Sequence, residues 1–186
     1  MSGSELGMDA LPATAAGHRQ IHLWGFMGSG KSTVAMALAR RLVWNYLDLD
    51  ILVARHAGKS VAQIFADDGE SEFRKVERHA LRQAVQKPRT VVALGGGAPM
   101  ASSNRELGEL HATSVWLQVG FDVCRDRVGA DNRRPLFDDP EIARQLFDAR
   151  QSVYASADLA VDATAESAVV AAAIEALVRG PGETLG

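Results

Sequence analysis

Residues Gly25–Ser32 read GFMGSGKS, and this stretch decides the fold of the chain. It fits the pattern G-x-x-x-x-G-K-[ST], which marks a phosphate-binding loop when a strand precedes it and a helix follows it. Ile21–Trp24 is a short apolar run, and Ser32–Leu42 carries apolar residues at helical spacing. The sequence therefore predicts a strand, a loop and a helix in that order.

The residue types of this loop suit a phosphate site. Glycines allow successive backbone N–H groups to turn inward, and the start of the helix adds positive potential. Lys31 is expected to reach the β and γ phosphates of a nucleotide, and the Ser32 hydroxyl is a hard oxygen ligand that suits Mg²⁺. A loop that binds nucleotide without transferring phosphate stays open as an alternative, because the motif indicates binding and not turnover. The predicted nucleotide contacts in the loop are Gly28, Ser29, Gly30, Lys31, Ser32 and Thr33.

Apolar runs and helical patterns alternate along the rest of the chain. This alternation predicts an α/β fold of three layers, αβα, with a central five-stranded parallel sheet and ligands at the carboxyl ends of its strands. Beyond the first strand, strands are expected at 46–47, leading into the acids at 48 and 50, and at 90–94, 114–118 and 159–161; later helices are expected at 61–66, 71–86, 104–110, 121–128, 141–157 and 165–179.

Length and composition predict one globular domain. The chain has 186 residues, of which 47% are hydrophobic and 23% charged, which is enough to bury a substantial core. We expect residues 19–179 to form this domain, with 1–18 as a disordered extension and 180–186 as a flexible tail. Residues 129–140 are polar, basic and turn-forming, and are therefore predicted to form a mobile lid.

Charge and cysteine content narrow the partners and the compartment. The formal net charge of -3 argues against nucleic acid or an anionic membrane as the main partner. No run approaches the roughly 20 apolar residues of a spanning helix, and no signal peptide is recognisable. Cys124 is the single cysteine, which suits a reducing compartment and is interpreted as a buried structural thiol. A cytoplasmic protein with small-molecule partners is expected.

Two acids follow the second predicted strand. If the strand runs through both Asp48 and Asp50, their carboxylates share one face near the phosphate loop. One carboxylate could then organise Mg²⁺, and the other could accept a hydrogen bond from a hydroxyl that attacks the γ phosphate. An N-cap role for Asp50 on the next helix is the alternative, since Asp is a favoured N-cap residue.

These residues, taken together, resemble shikimate kinase. The resemblance runs from about Ile21 to Asp162 and depends on the order and spacing of its motifs. It implies a P-loop NTPase fold of the nucleoside-monophosphate-kinase type, a monomer, and a reaction in which ATP with Mg²⁺ phosphorylates the 3-hydroxyl of shikimate in aromatic amino-acid biosynthesis. The motifs are GFMGSGKST at Gly25–Thr33, Asp48-Leu49-Asp50, GKSVAQIFADDGESEFRKVE at Gly58–Glu77, LGGGAP at Leu94–Pro99, and Arg134-Pro135-Leu136.

The resemblance also implies roles for individual residues. Lys31, Asp50 and Arg134 are the implied catalytic residues, with Arg134 carried by the lid. Ser32 and Asp48 would organise Mg²⁺. Substrate would be bound by Asp50, Arg74, Gly95, Gly96, Gly97 and Arg150, and ATP also by Arg127 and Arg134.

Alternatives stay open for Arg74, for the adenine contacts and for the function. Without the resemblance, Arg74 reads as a solvated helix charge. Glu166 falls near the place where many members carry an arginine or proline loop against adenine, so the adenine contacts stay undefined. A gluconate-type or nucleoside-monophosphate kinase, or a non-catalytic nucleotide-binding regulatory module, is the alternative function.

Overall fold

The structure is a computed structural model that describes residues 20–129 and 139–179. The predicted extension 1–18, the predicted tail 180–186 and most of the predicted lid, including Arg134, lie outside the described residues. Among the helices that are described, none has the length and apolar character needed to cross a membrane.

Five parallel strands form one sheet in the order β2-β3-β1-β4-β5. The five-stranded parallel sheet predicted from the sequence is therefore confirmed. The strands are β1 (Gln20–Trp24), β2 (Asn45–Asp48), β3 (Thr90–Ala93), β4 (Ala112–Gln118) and β5 (Leu159–Asp162). The described α-helices are α1 (Lys31–Leu42), α2 (Leu49–Ala57), α3 (Val61–Asp67), α4 (Gly69–Ala84), α5 (Ser102–Glu109), α6 (Phe121–Gly129), α7 (Pro140–Tyr154) and α8 (Ser167–Arg179), and Ala98–Met100 forms a 3₁₀ turn.

Alternate residues of the central strand face two separate cores. Ile21 and Leu23 of β1 belong to the core that α1 and α8 cover. Trp24 belongs to the core on the opposite face, together with Leu81 of α4 and Tyr154 of α7. Side chains alternate along a strand, and helices cover both faces of this sheet. This cover explains why β1 and β3 are buried along their whole length.

The strand register places the functional residues at one edge of the sheet. Trp24 pairs with Trp116, and Asp48 pairs with Ala93. The segments that follow β1, β2 and β3 therefore leave the sheet side by side. They are the phosphate loop, the acid pair and the glycine turn, by which we mean Gly95–Gly97.

The structure corrects the prediction for the two acids. Strand β2 ends at Asp48, and α2 begins at Leu49, so Asp50 lies in the first helical turn and not on the strand. The alternative was wrong as well, because the N-cap is Asp48, whose carboxylate accepts hydrogen bonds from the N–H groups of Asp50 and Ile51. A carboxylate at the N-cap satisfies backbone donors that would otherwise lack partners.

Candidate active site

A cleft of about 890 Å³ opens at the carboxyl ends of the strands. Its walls come from the phosphate loop, the start of α1, the end of β2, the first turn of α2 and the end of α6. Arg74, Gly97 and Arg150 do not line this cleft. They lie next to it, because Arg150 approaches Gly96 and Arg74 approaches Gly97. The residues that line the cleft include Gly28, Gly30, Lys31, Ser32, Thr33, Tyr46, Asp48, Asp50, Gly96 and Arg127.

The phosphate loop needs glycine for two reasons at Gly28. Its φ angle is +83°, and a Cβ at this position would lie 2.3 Å from the carbonyl oxygen of Cys124 in α6. Gly30, with φ +91°, is the N-cap of α1 and provides no side-chain hydrogen bond to the first turn. The first turn also contains no acidic residue. The positive end of α1 therefore faces the cleft without an acidic residue of its own first turn, and the carboxylate that approaches it comes from Asp48, at the end of β2.

Lys31 is held across the loop. Its Nζ donates to the carbonyl oxygens of Gly25 and Phe26, at 2.8 Å each. These contacts place the ammonium group within the concave side of the loop. Ser29 lies behind the cleft wall, since its side chain is buried and its N–H donates to the Phe26 carbonyl at 3.2 Å.

Ser32 and Asp48, the two residues that the resemblance assigns to Mg²⁺, lie side by side on the cleft wall. The Ser32 hydroxyl donates to Asp48 Oδ2 at 2.7 Å. The hydroxyl of Tyr46 donates to the same oxygen at 3.4 Å. Burial, followed by the Asp48 charge, raises the pKa of Tyr46, so the phenol stays protonated and remains a donor at neutral pH.

Asp50 packs directly against the glycine turn. A Cβ at Gly95 would lie 2.5 Å from Asp50 Oδ1. No positive φ occurs among Gly95, Gly96 and Gly97. Glycine is thus needed in this turn for close approach, whereas at Gly28 it also serves an unusual backbone angle.

Arg74 reaches the other end of the glycine turn. A Cβ at Gly97 would lie 2.7 Å from Arg74 Nη2. Arg74 Nη1 donates to both oxygens of Glu77, at 3.1 and 2.9 Å, and Nη2 donates to Glu70 at 3.1 Å. The Arg74 side chain is 29% exposed. It is therefore a fixed, half-buried guanidinium and not the solvated helix charge that the sequence alone would favour.

Glu77 is a functional residue that the sequence reasoning did not single out. Its side chain is 1% exposed. Burial raises the pKa of Glu77, while the charge and hydrogen bonds of Arg74 act in the opposite direction. Asn104 donates to Glu77 Oε2 at 3.4 Å and to the carbonyl of Ala98 at 3.1 Å. The spacing of three residues on α4 between Arg74 and Glu77 was the available signal.

Arg150 and Tyr154 approach the middle of the glycine turn from α7. Arg150 Nη1 lies 3.4 Å, and Tyr154 Oη 3.6 Å, from the position of a Cβ at Gly96. The Tyr154 hydroxyl donates to the carbonyl of Gly96 at 2.6 Å. The Arg150 guanidinium also lies 5.7 Å from the ring centroid of Phe26 in the phosphate loop. Arg74 and Arg150 thus both lie at the glycine turn, Arg74 beside Gly97 and Arg150 beside Gly96.

Arg127 lies beside the phosphate loop and the β5–α8 connection. Its Nη1 is 3.8 Å from the position of a Cβ at Gly30. Its Nη2 donates to the carbonyl oxygens of Ala163 and Thr164, at 3.1 Å each. Cys124, on the same helix, is buried as predicted, and burial raises the pKa of its thiol.

Comparisons with known proteins agree with this arrangement. The family model for shikimate kinase matches residues 27–178. A shikimate kinase of Geobacter sulfurreducens is 41% identical over 152 residues, which cover 80% of this chain and 84% of the relative. One of Moorella thermoacetica is 40% identical over 154 residues, covering 82% and 89%.

Solved structures of shikimate kinases also match this fold. The shikimate kinase of Acinetobacter baumannii in complex with shikimate matches with a TM-score of 0.80 and 30% identity. The match covers 88% of this chain and 95% of that one. Since the family model spans most of the chain and the relatives match nearly full length, the chain belongs to the shikimate kinase family.

Proposed function

We propose that the protein transfers the γ-phosphoryl group of ATP to the 3-hydroxyl of shikimate, a step of aromatic amino-acid biosynthesis. One observation carries the proposal. A carboxylate, Asp50, lies between a phosphate loop and a glycine turn at which two arginines meet, Arg74 and Arg150. Two guanidinium groups can bind the carboxylate of the substrate, and the nearby Asp50 carboxylate can accept hydrogen bonds from the hydroxyl groups of the substrate.

The phosphate-loop side, meaning Gly25–Thr33 with Asp48, binds the nucleotide in this proposal. Phosphate oxygens would accept hydrogen bonds from the N–H groups at the start of α1 and from Lys31, which would exchange the Gly25 and Phe26 carbonyls for them. Negative charge spreads over the equatorial oxygens of the phosphoryl group and develops on the leaving oxygen during transfer, so a preorganised ammonium lowers the barrier as well as binding ATP. Arg127 would lie at the adenine end.

The residues present fit Mg²⁺. Ser32 and Asp48 offer a hydroxyl and a carboxylate oxygen 2.7 Å apart on the cleft wall. Within the described residues, no group of three or more His, Cys, Asp or Glu side chains is arranged to hold a metal. Mg²⁺ in kinases typically uses one or two protein oxygens and completes its shell with water and phosphate. When bound, it would neutralise charge on the phosphates.

The glycine-turn side, meaning Gly95–Gly97 with Arg74 and Arg150, binds the acid substrate. The Glu77 and Glu70 charges and hydrogen bonds raise the pKa of Arg74, although burial acts against them, so this guanidinium stays charged. A planar guanidinium can hold a carboxylate through two parallel hydrogen bonds. Because the turn carries no side chains, the substrate can lie against its backbone.

Asp50 aims the attacking oxygen. Its carboxylate would accept the hydrogen bond of the 3-hydroxyl as that oxygen forms a bond to the γ phosphorus. The bond from the γ phosphorus to the β–γ bridging oxygen breaks, ADP leaves, and the hydroxyl proton passes to Asp50 and then to solvent. The lid residue Arg134, outside the described residues, would add positive charge to this step.

An assay across substrates tests the function. ADP release would be measured with ATP, Mg²⁺ and, in turn, shikimate, gluconate and nucleoside monophosphates. We expect release that depends on shikimate, and ³¹P NMR should show a new phosphomonoester on C3. Release with gluconate or a nucleotide instead would favour the other kinases, and no release with any acceptor would favour the regulatory module.

We further propose that the enzyme works as a cytoplasmic monomer. The single, buried Cys124 suits a reducing compartment, and the monomeric state follows the family resemblance. Sedimentation at micromolar concentration should give the mass of one 19.9 kDa chain; a dimer mass would contradict this part of the proposal.

A further inference from the structure

Tyr154 connects α7 to the glycine turn through one short hydrogen bond. Its side chain is fully buried, and its hydroxyl donates to the Gly96 carbonyl at 2.6 Å. Burial raises the pKa of Tyr154 to about 12, with the nearby Arg150 acting against this shift. The phenol therefore keeps its proton, and the Gly96 carbonyl keeps its donor, across the neutral and mildly alkaline range.

Gly96 is where the two sides of the cleft meet. The position of its missing Cβ is 3.4 Å from the Gly25 carbonyl oxygen, which also accepts from Lys31 Nζ, and 3.4 Å from Arg150 Nη1. A rotation of the Gly96 peptide would move its carbonyl away from Tyr154 and change the direction of the following N–H. The turn has no side chains of its own to resist that rotation.

Arg150 and Tyr154 are one helical turn apart on α7 and lie on the same face. Fixing Tyr154 to Gly96 therefore also fixes how far Arg150 reaches over the turn. Tyr154 does not line the cleft, and its hydroxyl is committed to a backbone carbonyl.

We propose that Tyr154 is a positioning residue for the acid substrate: its hydroxyl fixes the Gly96 peptide and the reach of Arg150, and so sets the affinity for shikimate. This inference rests on the proposed function. It predicts a larger effect of Tyr154 on the binding of shikimate than on the binding of ATP, because the Tyr154 hydroxyl donates to the glycine turn and not to the phosphate loop.

The Tyr154→Phe variant tests the proposal, since it removes one hydroxyl and keeps the ring. We expect the KM for shikimate to rise about fivefold, as the loss of one hydrogen bond implies, with the KM for ATP within twofold of wild type. Ser156→Ala, which removes an exposed hydroxyl just after α7 that donates to the carbonyl of Val153, should leave the KM for shikimate within twofold. An unchanged KM for shikimate in Tyr154→Phe, or an equal rise in both KM values, would overturn the proposal.

A double-mutant cycle with Arg150→Ala separates positioning from general packing. Because Tyr154 acts partly through Arg150, Tyr154→Phe should raise the KM for shikimate by a smaller factor in the Arg150→Ala background than in the wild-type background. An equal, fivefold rise in both backgrounds would show independent effects and contradict the coupling to Arg150. If wild-type enzyme released no ADP with shikimate, the proposed function itself would fail; a normal wild type with an unaffected Tyr154→Phe would remove only this inference.

Discussion

The two sides of the cleft are built in different ways. The phosphate-loop side comes mainly from nine consecutive residues, Gly25–Thr33, fixed by backbone angles and by the start of α1. The glycine-turn side gathers Arg74 from α4 and Arg150 from α7 around a turn after β3. The first is a local structure that one stretch of sequence specifies, whereas the second exists only when distant helices pack correctly.

This difference predicts separable defects. A change on the phosphate-loop side should impair turnover with any acceptor, and a change on the glycine-turn side should impair mainly the use of shikimate.

Lys31→Ala should reduce kcat by about 10³-fold, because it removes the preorganised ammonium that faces the phosphoryl group. The circular dichroism spectrum and the melting temperature should change little, since Lys31 lines the open cleft and its ammonium donates to the loop carbonyls of Gly25 and Phe26. Lys59→Ala is the matched control, because Lys59 pairs with Asp67 and Asp68 on the surface. A near-normal kcat for Lys31→Ala would contradict the assignment of the phosphate-loop side.

Gly95→Ala should lower kcat/KM for shikimate by roughly 10²-fold, which a displacement of about 1 Å at a reacting group can cost. Its Cβ would lie 2.5 Å from Asp50 Oδ1 and force that carboxylate away. Gly120→Ala provides the control, since a Cβ there meets no atom within 4 Å. The assignment of the glycine turn to the acceptor substrate would be wrong if Gly95→Ala retained its activity with shikimate, or if ATP binding measured by calorimetry weakened as much as shikimate binding.

His22 should make stability depend on pH without involving either side of the cleft. It is buried in β1, its Nε2 lies 2.9 Å from Gln20 Oε1, and burial followed by the charge of His111 lowers its pKa to about 4. The unfolded chain, with a pKa near 6.5, binds the proton first as pH falls, so stability contributed by neutral His22 is present above pH 6.5 and lost towards pH 4.

Urea unfolding at pH 7 and pH 5 measures this effect. We expect His22 to account for about 2 kcal/mol of the decrease in unfolding free energy between these pH values. His22→Asn should remove that part of the decrease, and His56→Asn, at an exposed position of α2, should keep it. The same slope in wild type and His22→Asn would mean that other groups cause the pH dependence.

Tyr46→Phe should have the smallest effect. The 3.4 Å hydrogen bond from Tyr46 to Asp48 Oδ2 is long, so its loss should raise the Mg²⁺ concentration for half-maximal activity only about twofold. Tyr154→Phe should leave that concentration unchanged. A tenfold shift for Tyr46→Phe would give Tyr46 a larger role at the metal than its geometry supports.

The sequence predicted the locally specified phosphate-loop side better than the glycine-turn side, which depends on the packing of distant helices. The phosphate loop and the order of the strands along the chain were predictable, because local spacing and helical periodicity specify them, whereas the family resemblance supplied the pairing of Ser32 with Asp48. The path of the chain at Asp48 and Asp50 was not, since a strand and a helix N-cap present the same two acids. The burial of Glu77 and the contact of Tyr154 with Gly96 depend on helices packing over long distances. Family resemblance, and not spacing, supplied Arg74 and Arg150.

Calorimetry on the Arg74→Lys variant tests whether the guanidinium of Arg74 holds the carboxylate of shikimate. Lysine keeps a positive charge beside the buried Glu77, but it lacks the planar fork that can hold a carboxylate through two hydrogen bonds. The account predicts that the Kd for shikimate rises about tenfold, as the loss of a charged hydrogen bond implies, while the Kd for ATP stays within twofold of wild type. Unchanged shikimate binding, or an equal loss of affinity for both ligands, would contradict it.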